Sequence, residues 1–143
     1  MRAAAWGPSA EDLVSTSAER ASLDVLREAA GERGGPMERH GIRVFLIVER
    51  LASKEGATVD REVLLCASLL HDVGLYPRAS EGGAYVTDGR HYAAGVLVSG
   101  RWSGDRLERC LDAIEHPEIA RLLGRALRER PATLPRIFVV AGA

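Results

Sequence analysis

Apolar residues recur along most of this chain at three- and four-residue intervals, the spacing that gathers them on one face of an α-helix. Ser9, with Asp12 three positions on, reads as a capping box. Leu13, Ala18, Leu23, Leu26 and Ala29 then fit one amphipathic helix. GERGGP (residues 31–36) breaks the pattern. Pro36 suits the first position of a second helix, striped by Val44, Ile47, Val48 and Leu51 and closed by Gly56. A third helix is predicted from Asp60 to about Asp72. Its run EVLLCASLL is apolar almost all round, so this helix should be the central, most buried one.

Gly74, Pro77 and the stretch SEGGAYVTDG predict a long loop, with a short hairpin around Tyr85 and Val86. Shorter helices follow from Arg90 to Val98 and from Asp105 to His116, and Pro117 opens a sixth that ends near Arg130. In the tail PATLPRIFVVAGA, two prolines interrupt the helix and IFVV reads as extended chain. The expectation is an all-α, single-domain helical bundle of about six helices. Residues 1–35 form an N-terminal helix and linker, 36–130 the core, and 131–143 a tail.

The 143 residues suffice for one domain with a real core. Basic and acidic residues nearly cancel, 19 against 20, which leaves no general attraction to nucleic acid or an anionic membrane. The longest apolar stretch, VLLCASLL, is too short to span a bilayer. MRAAAWGPSAED lacks the apolar core of a secretory signal, so a cytoplasmic location is expected. Cys66 and Cys110 form no CxxC pair and read as small buried hydrophobes. Trp6 and Trp102 read as packing residues, and Arg121, Arg125 and Arg128 as a solvated helix face. Lys54 is the only lysine and Asn and Gln are absent. Any phosphate contact therefore falls to arginine, backbone amides or a metal.

The four histidines carry the chemistry: His40, His71, His91 and His116. A lone helical histidine is usually a surface or hydrogen-bonded residue. His71 and Asp72, however, end the helix expected to be most buried, where an unpaired polar pair is costly. An imidazole nitrogen beside a carboxylate oxygen is a mixed donor set that suits a divalent metal. Adjacent helical residues point about 100° apart. Both can reach one ion only if the helix ends there, as Gly74 suggests.

The segments MERHGIRVFLIVERLASKEG, LLCASLLHDVG, HYAAGVLVSG and DAIEHPE together resemble the HD-domain superfamily of metal-dependent phosphohydrolases. In that family a first His lies near the start of one helix and a His-Asp doublet ends the next long helix. Further histidines and a final Asp come later. His40 resembles the first position, His71–Asp72 the doublet, and His91 and His116 the later histidines. The resemblance covers Pro36 to Pro117. It implies a divalent ion (Mn, Fe, Co, Ni, Zn or Mg) held by His40, His71 and Asp72. Asp72 would bridge to a second ion bound by His91 and His116. The implied reaction is attack by metal-activated water on the phosphorus of a small phosphorylated substrate, such as a nucleotide. Asp72 is thus a catalytic candidate as well as a ligand. Arg43, one turn from His40, is the best candidate for phosphate contact, ahead of Arg78 and Arg90.

Two departures from the family pattern support a different reading. The last aspartate is Asp112, four residues before His116 on the same helix face, placed to orient His116 or to ligate beside it. Beyond it only Glu115, Glu118 and Glu129 are acidic. The position after HDxG, often Lys in the family, is Leu75. The alternative is therefore a degenerate, non-catalytic HD domain acting as a ligand- or protein-binding module. A hydrolase or hydratase of non-phosphate substrates on the same scaffold is a third option. The loop from Leu75 to Arg90 should border the site, and IFVV offers a surface for a homo-oligomer.

Overall fold

A computed structural model describes residues 7–56, 58 and 60–115, and among these every regular element is helical. Ser9 caps α1 (Ala10–Leu13) as expected, its amide donating to the Asp12 carboxylate at 3.0 Å. The single helix expected next is in fact two. Val14 leaves the helical path, and Thr16 opens α2 (Ser17–Ala30) with a second capping box. The Glu19 amide donates to Thr16 Oγ1 at 3.1 Å, while the Glu19 carboxylate accepts from the Ser15 and Thr16 amides at 2.9 and 3.1 Å. That Thr-x-x-Glu signal was in the sequence, hidden because Leu13 and Ala18 fit one uninterrupted stripe.

Pro36 begins α3 (Pro36–Lys54), and Glu38 in its first turn fastens it to α2. The Arg27 guanidinium donates to the Glu38 carboxylate from Nε and Nη2, and the Gly34 amide donates to the same group. Glu38 is 5% exposed and the Arg27 side chain 11%. Removing one partner of such a pair strands a buried charge. Arg27→Ala is accordingly expected to cost about 3 kcal/mol, read as a lowered urea midpoint.

Asp60 caps α4 (Arg61–Leu70) by accepting from the Val63 amide. Every residue of α4 from Val63 to Leu70 is buried, as the all-round apolar pattern required. One side of α4 (Leu64, Leu65, Leu69) packs with α2 and α3 residues around Phe45 and Leu23. The other side (Val63, Cys66, Ala67, Leu70) packs with α5 (Tyr85–Ser99) and α6 (Gly104–Glu115) around Leu97 and Ile114. The helix is therefore shared by two halves of the core. Cys66 and Cys110 are both free and fully buried in the second half, and burial pushes the Cys66 thiol up to about 12. Trp102 packs there too, with the Arg106 guanidinium 4.4 Å from its ring centre.

The expected hairpin at Tyr85 and Val86 does not form: these residues begin α5. Their β-type side chains are overridden by tertiary contacts. The Tyr85 carbonyl and Gly89 amide lie against Gly74, and the Asp88 carboxylate accepts from the amides of Glu81 and Gly83 at 2.9 and 3.3 Å. Asp88, 3% exposed, thus ties the preceding loop to the first turn of the helix. The sixth helix from Pro117, the tail with IFVV, and Trp6 lie outside the described residues. No helix among the described residues is long and apolar enough to cross a membrane.

Candidate metal centre

His40 lies on α3 and His71 caps the C-terminus of α4, so their meeting depends on how closely those helices approach. Gly41 allows it: a Cβ there would sit 2.9 Å from the Ser68 carbonyl oxygen of α4. The next residue along, His40, is thereby brought to His71, with the two Nε2 atoms 3.1 Å apart. α4 ends at Leu70; His71 keeps helical angles, and Asp72 turns away at φ −106°, ψ 9°. That sparsely occupied region is where many active-site residues sit. The turn lets both side chains of the doublet face one point, with His71 Nε2 and Asp72 Oδ2 3.2 Å apart. His40 Nε2 lies 3.4 Å from the same oxygen.

The expectation that the helix must end for the doublet to converge is met, but not by Gly74 acting as a left-handed cap. The helix stops before Gly74, which lies in a single 3-10 turn, Val73–Leu75, and has no positive φ. Its requirement is steric. A Cβ at residue 74 would fall 1.8 Å from the Tyr85 carbonyl oxygen.

The three donor atoms fit a metal ion in both spacing and electronic state. Ligands about 2.1 Å from one ion lie about 3.0 Å apart at right angles and about 3.4 Å apart in a tetrahedron. The three observed separations, 3.1, 3.2 and 3.4 Å, span that interval. His71 Nδ1 donates to the Ser68 carbonyl at 2.7 Å, so that a ring carrying one proton turns its Nε2 lone pair to the site, the form a metal ion binds. A lone pair 3.2 Å from a carboxylate oxygen is favourable only with positive charge between them. Burial first, and then the Arg43 charge, lower the His40 pKa despite Asp72, which favours a neutral, ligating ring. Burial pushes the Asp72 carboxyl up, but the two imidazoles beside it prevail and hold it below the usual range. As ligands, two imidazoles and one carboxylate would bring a single negative charge to a divalent cation.

The other candidates are placed differently. His91 stands apart from the three, its side chain 60% exposed and its Nδ1 3.3 Å from Glu81 Oε2. His116, Glu118 and Glu129 lie outside the described residues. Arg43 is exposed, near enough for its charge to act on His40. Arg90 is engaged elsewhere: it donates to Asp112 and Glu115 from Nη1 at 2.7 and 2.9 Å and to Glu108 from Nη2 at 2.8 Å. These bonds tie α5 to α6 and commit Arg90 to that contact; His116, which Asp112 was expected to orient, lies outside the described residues. Arg78 forms an exposed ion pair with Glu28 at 3.7 Å. Two residues not singled out in the sequence border the centre. Burial, then the Asp72 charge, raises the Tyr85 phenol; burial, Glu32 and Asp72 raise that of Tyr76.

No curated protein and no solved structure matches this chain. The family model for the HD domain matches residues 37–139, which spans the triad and runs beyond Pro117 into the segment set apart as a tail. The match covers well over half of the sequence, and it encloses both the His on α3 and the His-Asp doublet whose donor atoms converge. The chain belongs to the HD domain family.

Proposed function

We propose that this chain is a metal-dependent phosphohydrolase that cleaves a phosphate ester of a small molecule, nucleotides among the candidates. The family is one of metal-dependent phosphohydrolases. The observation that carries the reading is the convergence of His40 Nε2, His71 Nε2 and Asp72 Oδ2 on one point. What a divalent ion supplies when held there is a lowered water pKa and polarisation of the P–O bond.

The chain's own groups have separable tasks in this reading. Ser68, through its carbonyl, fixes which His71 nitrogen carries the proton. His40 adds a second neutral donor from another helix, so the site forms only when α3 and α4 are docked. Asp72 contributes the one anionic donor of the three. Arg43, exposed and one turn from His40, would hold a phosphoryl oxygen pair through its planar guanidinium.

One observation favours a non-catalytic binding module instead. Asp112 is committed to Arg90, which leaves three converging donor atoms among the described residues. Phosphate release decides between the two. Chain loaded in turn with Mn, Fe, Co, Ni, Zn or Mg is expected to release inorganic phosphate from at least one member of a panel of phosphate monoesters and nucleoside phosphates. Chelator-treated chain should release none. Metal binding with no release from any ester would favour the binding module.

A further inference from the structure

We infer that Gly41 is a positioning residue of the metal centre, whose missing side chain sets the separation of the two imidazole donors. A larger residue there would weaken metal binding while leaving the helices formed. The inference rests on the metal-centre reading above. Gly41 is buried in the interior of α3, where glycine costs helix stability relative to alanine. The reason for a glycine lies across the contact with α4. A Cβ at residue 41 would stand 2.9 Å from the Ser68 carbonyl oxygen, 3.4 Å from the Leu69 Cα and 3.5 Å from the Ser68 carbonyl carbon. All three are backbone atoms, so no side-chain rotation makes room, and one helix must move off the other.

The oxygen that Gly41 meets is also the one that holds His71. Ser68 lies in the last turn of α4, where carbonyls lack amide partners further along the helix. The His71 ring supplies the donor instead, from Nδ1 at 2.7 Å. The Ser68 hydroxyl, by contrast, is buried with no hydrogen-bond partner among the described residues, so this serine serves the centre through its backbone. One carbonyl oxygen is thus fixed from two sides: His71 is anchored on it, and α3 rests on it one residue from His40. Separating the helices at that point therefore acts on both rings, whose centres are 5.0 Å apart. An added methyl group needs a shift of about 0.5 Å to reach ordinary contact with the oxygen. A shift of that size would carry the Nε2 pair from 3.1 Å past the roughly 3.4 Å between neighbouring ligands of a tetrahedral ion.

Two readouts on wild type, Gly41→Ala and Gly95→Ala test this. Gly95 is the matched control, a helical glycine with nothing within 4 Å of its would-be Cβ. In metal-free wild type, nuclear Overhauser contacts are expected between the His40 and His71 rings and between the α protons of Gly41 and Leu69. Gly41→Ala should keep the helical circular dichroism of the wild type, weaken the ring contact, and bind zinc about tenfold less tightly in calorimetric titration. Gly95→Ala should match the wild type in both readouts. An unchanged ring contact or zinc affinity in Gly41→Ala, or an equal loss in Gly95→Ala, would overturn the inference. Should Gly41→Ala not fold even when combined with Gly95→Ala, the wild type decides: both contacts present uphold the inference, and either one absent overturns it. A wild type that shows both contacts yet binds no zinc counts against the metal-centre reading alone. The ring contact in Gly41→Ala then still decides the role of Gly41.

Discussion

Gly74→Ala is expected to destabilise the protein by about 3 kcal/mol or more, a large share of a small domain's stability. The added methyl group would meet the Tyr85 carbonyl oxygen at 1.8 Å and the Gly89 amide nitrogen at 2.8 Å. Both obstacles are backbone, so no rotamer change relieves the clash. The first turn of α5 must move, and with it the Asp88 anchor of the preceding loop. Gly95, also in α5, is the control. Nothing lies within 4 Å of its would-be Cβ, so Gly95→Ala should stabilise the helix by about 0.5–1 kcal/mol. Urea midpoints of the three proteins measure both effects. A Gly74→Ala protein as stable as wild type would refute the close-packed turn.

Asp72→Asn is expected to reduce phosphate release at least about a hundredfold while leaving the fold intact. Groups that merely orient a ligand are worth 10- to 100-fold in metal affinity or activity, so loss of the anionic donor should reach or exceed that range. The amide is nearly the same size as the carboxylate and sits at a helix end, outside the two core clusters. Steady-state phosphate release, read beside an unchanged far-ultraviolet circular dichroism spectrum, separates lost chemistry from lost structure. Wild-type turnover in Asp72→Asn would remove Asp72 from the mechanism.

Much of this was legible in the sequence because the signals were local. The unbroken apolar run of α4 dictated a helix buried on all sides, and it lies between both halves of the core. Pro36 marked the start of α3, and the His-Asp doublet marked where α4 ends. What escaped depended on contacts between distant segments. The break between α1 and α2 is set by Glu19, whose carboxylate is 1% exposed and held from three directions by Ser15, Thr16 and Arg61. Helix at Tyr85 is imposed by packing on Gly74, against the strand preference of Tyr-Val-Thr. Arg90 looked like a loop cation, and nothing near it in sequence pointed to Asp112. Each found the other once α5 and α6 docked.

The candidate site divides along the same line. His71 and Asp72 are adjacent, so their joint role could be read from one helix end. His40 could be assigned only by resemblance, since its meeting with His71 across 31 residues depends on Gly41 admitting the Ser68 backbone. The glycine that matters for helix docking therefore sits beside the ligand and carries no chemistry of its own. Leu75 and Tyr85 were expected only as part of a bordering loop. Their exposure emerges from the fold, which sets the Tyr85 backbone against Gly74.

The most direct test of the metal centre is the metal content of purified wild type and of Asp72→Ala, by elemental mass spectrometry. The expected result is near-stoichiometric Mn, Fe, Co, Ni or Zn in the wild type, falling sharply in the variant. Wild-type protein that stays metal-free after incubation with each of these ions and with Mg, or a variant that retains metal at the wild-type level, would contradict a centre built on His40, His71 and Asp72.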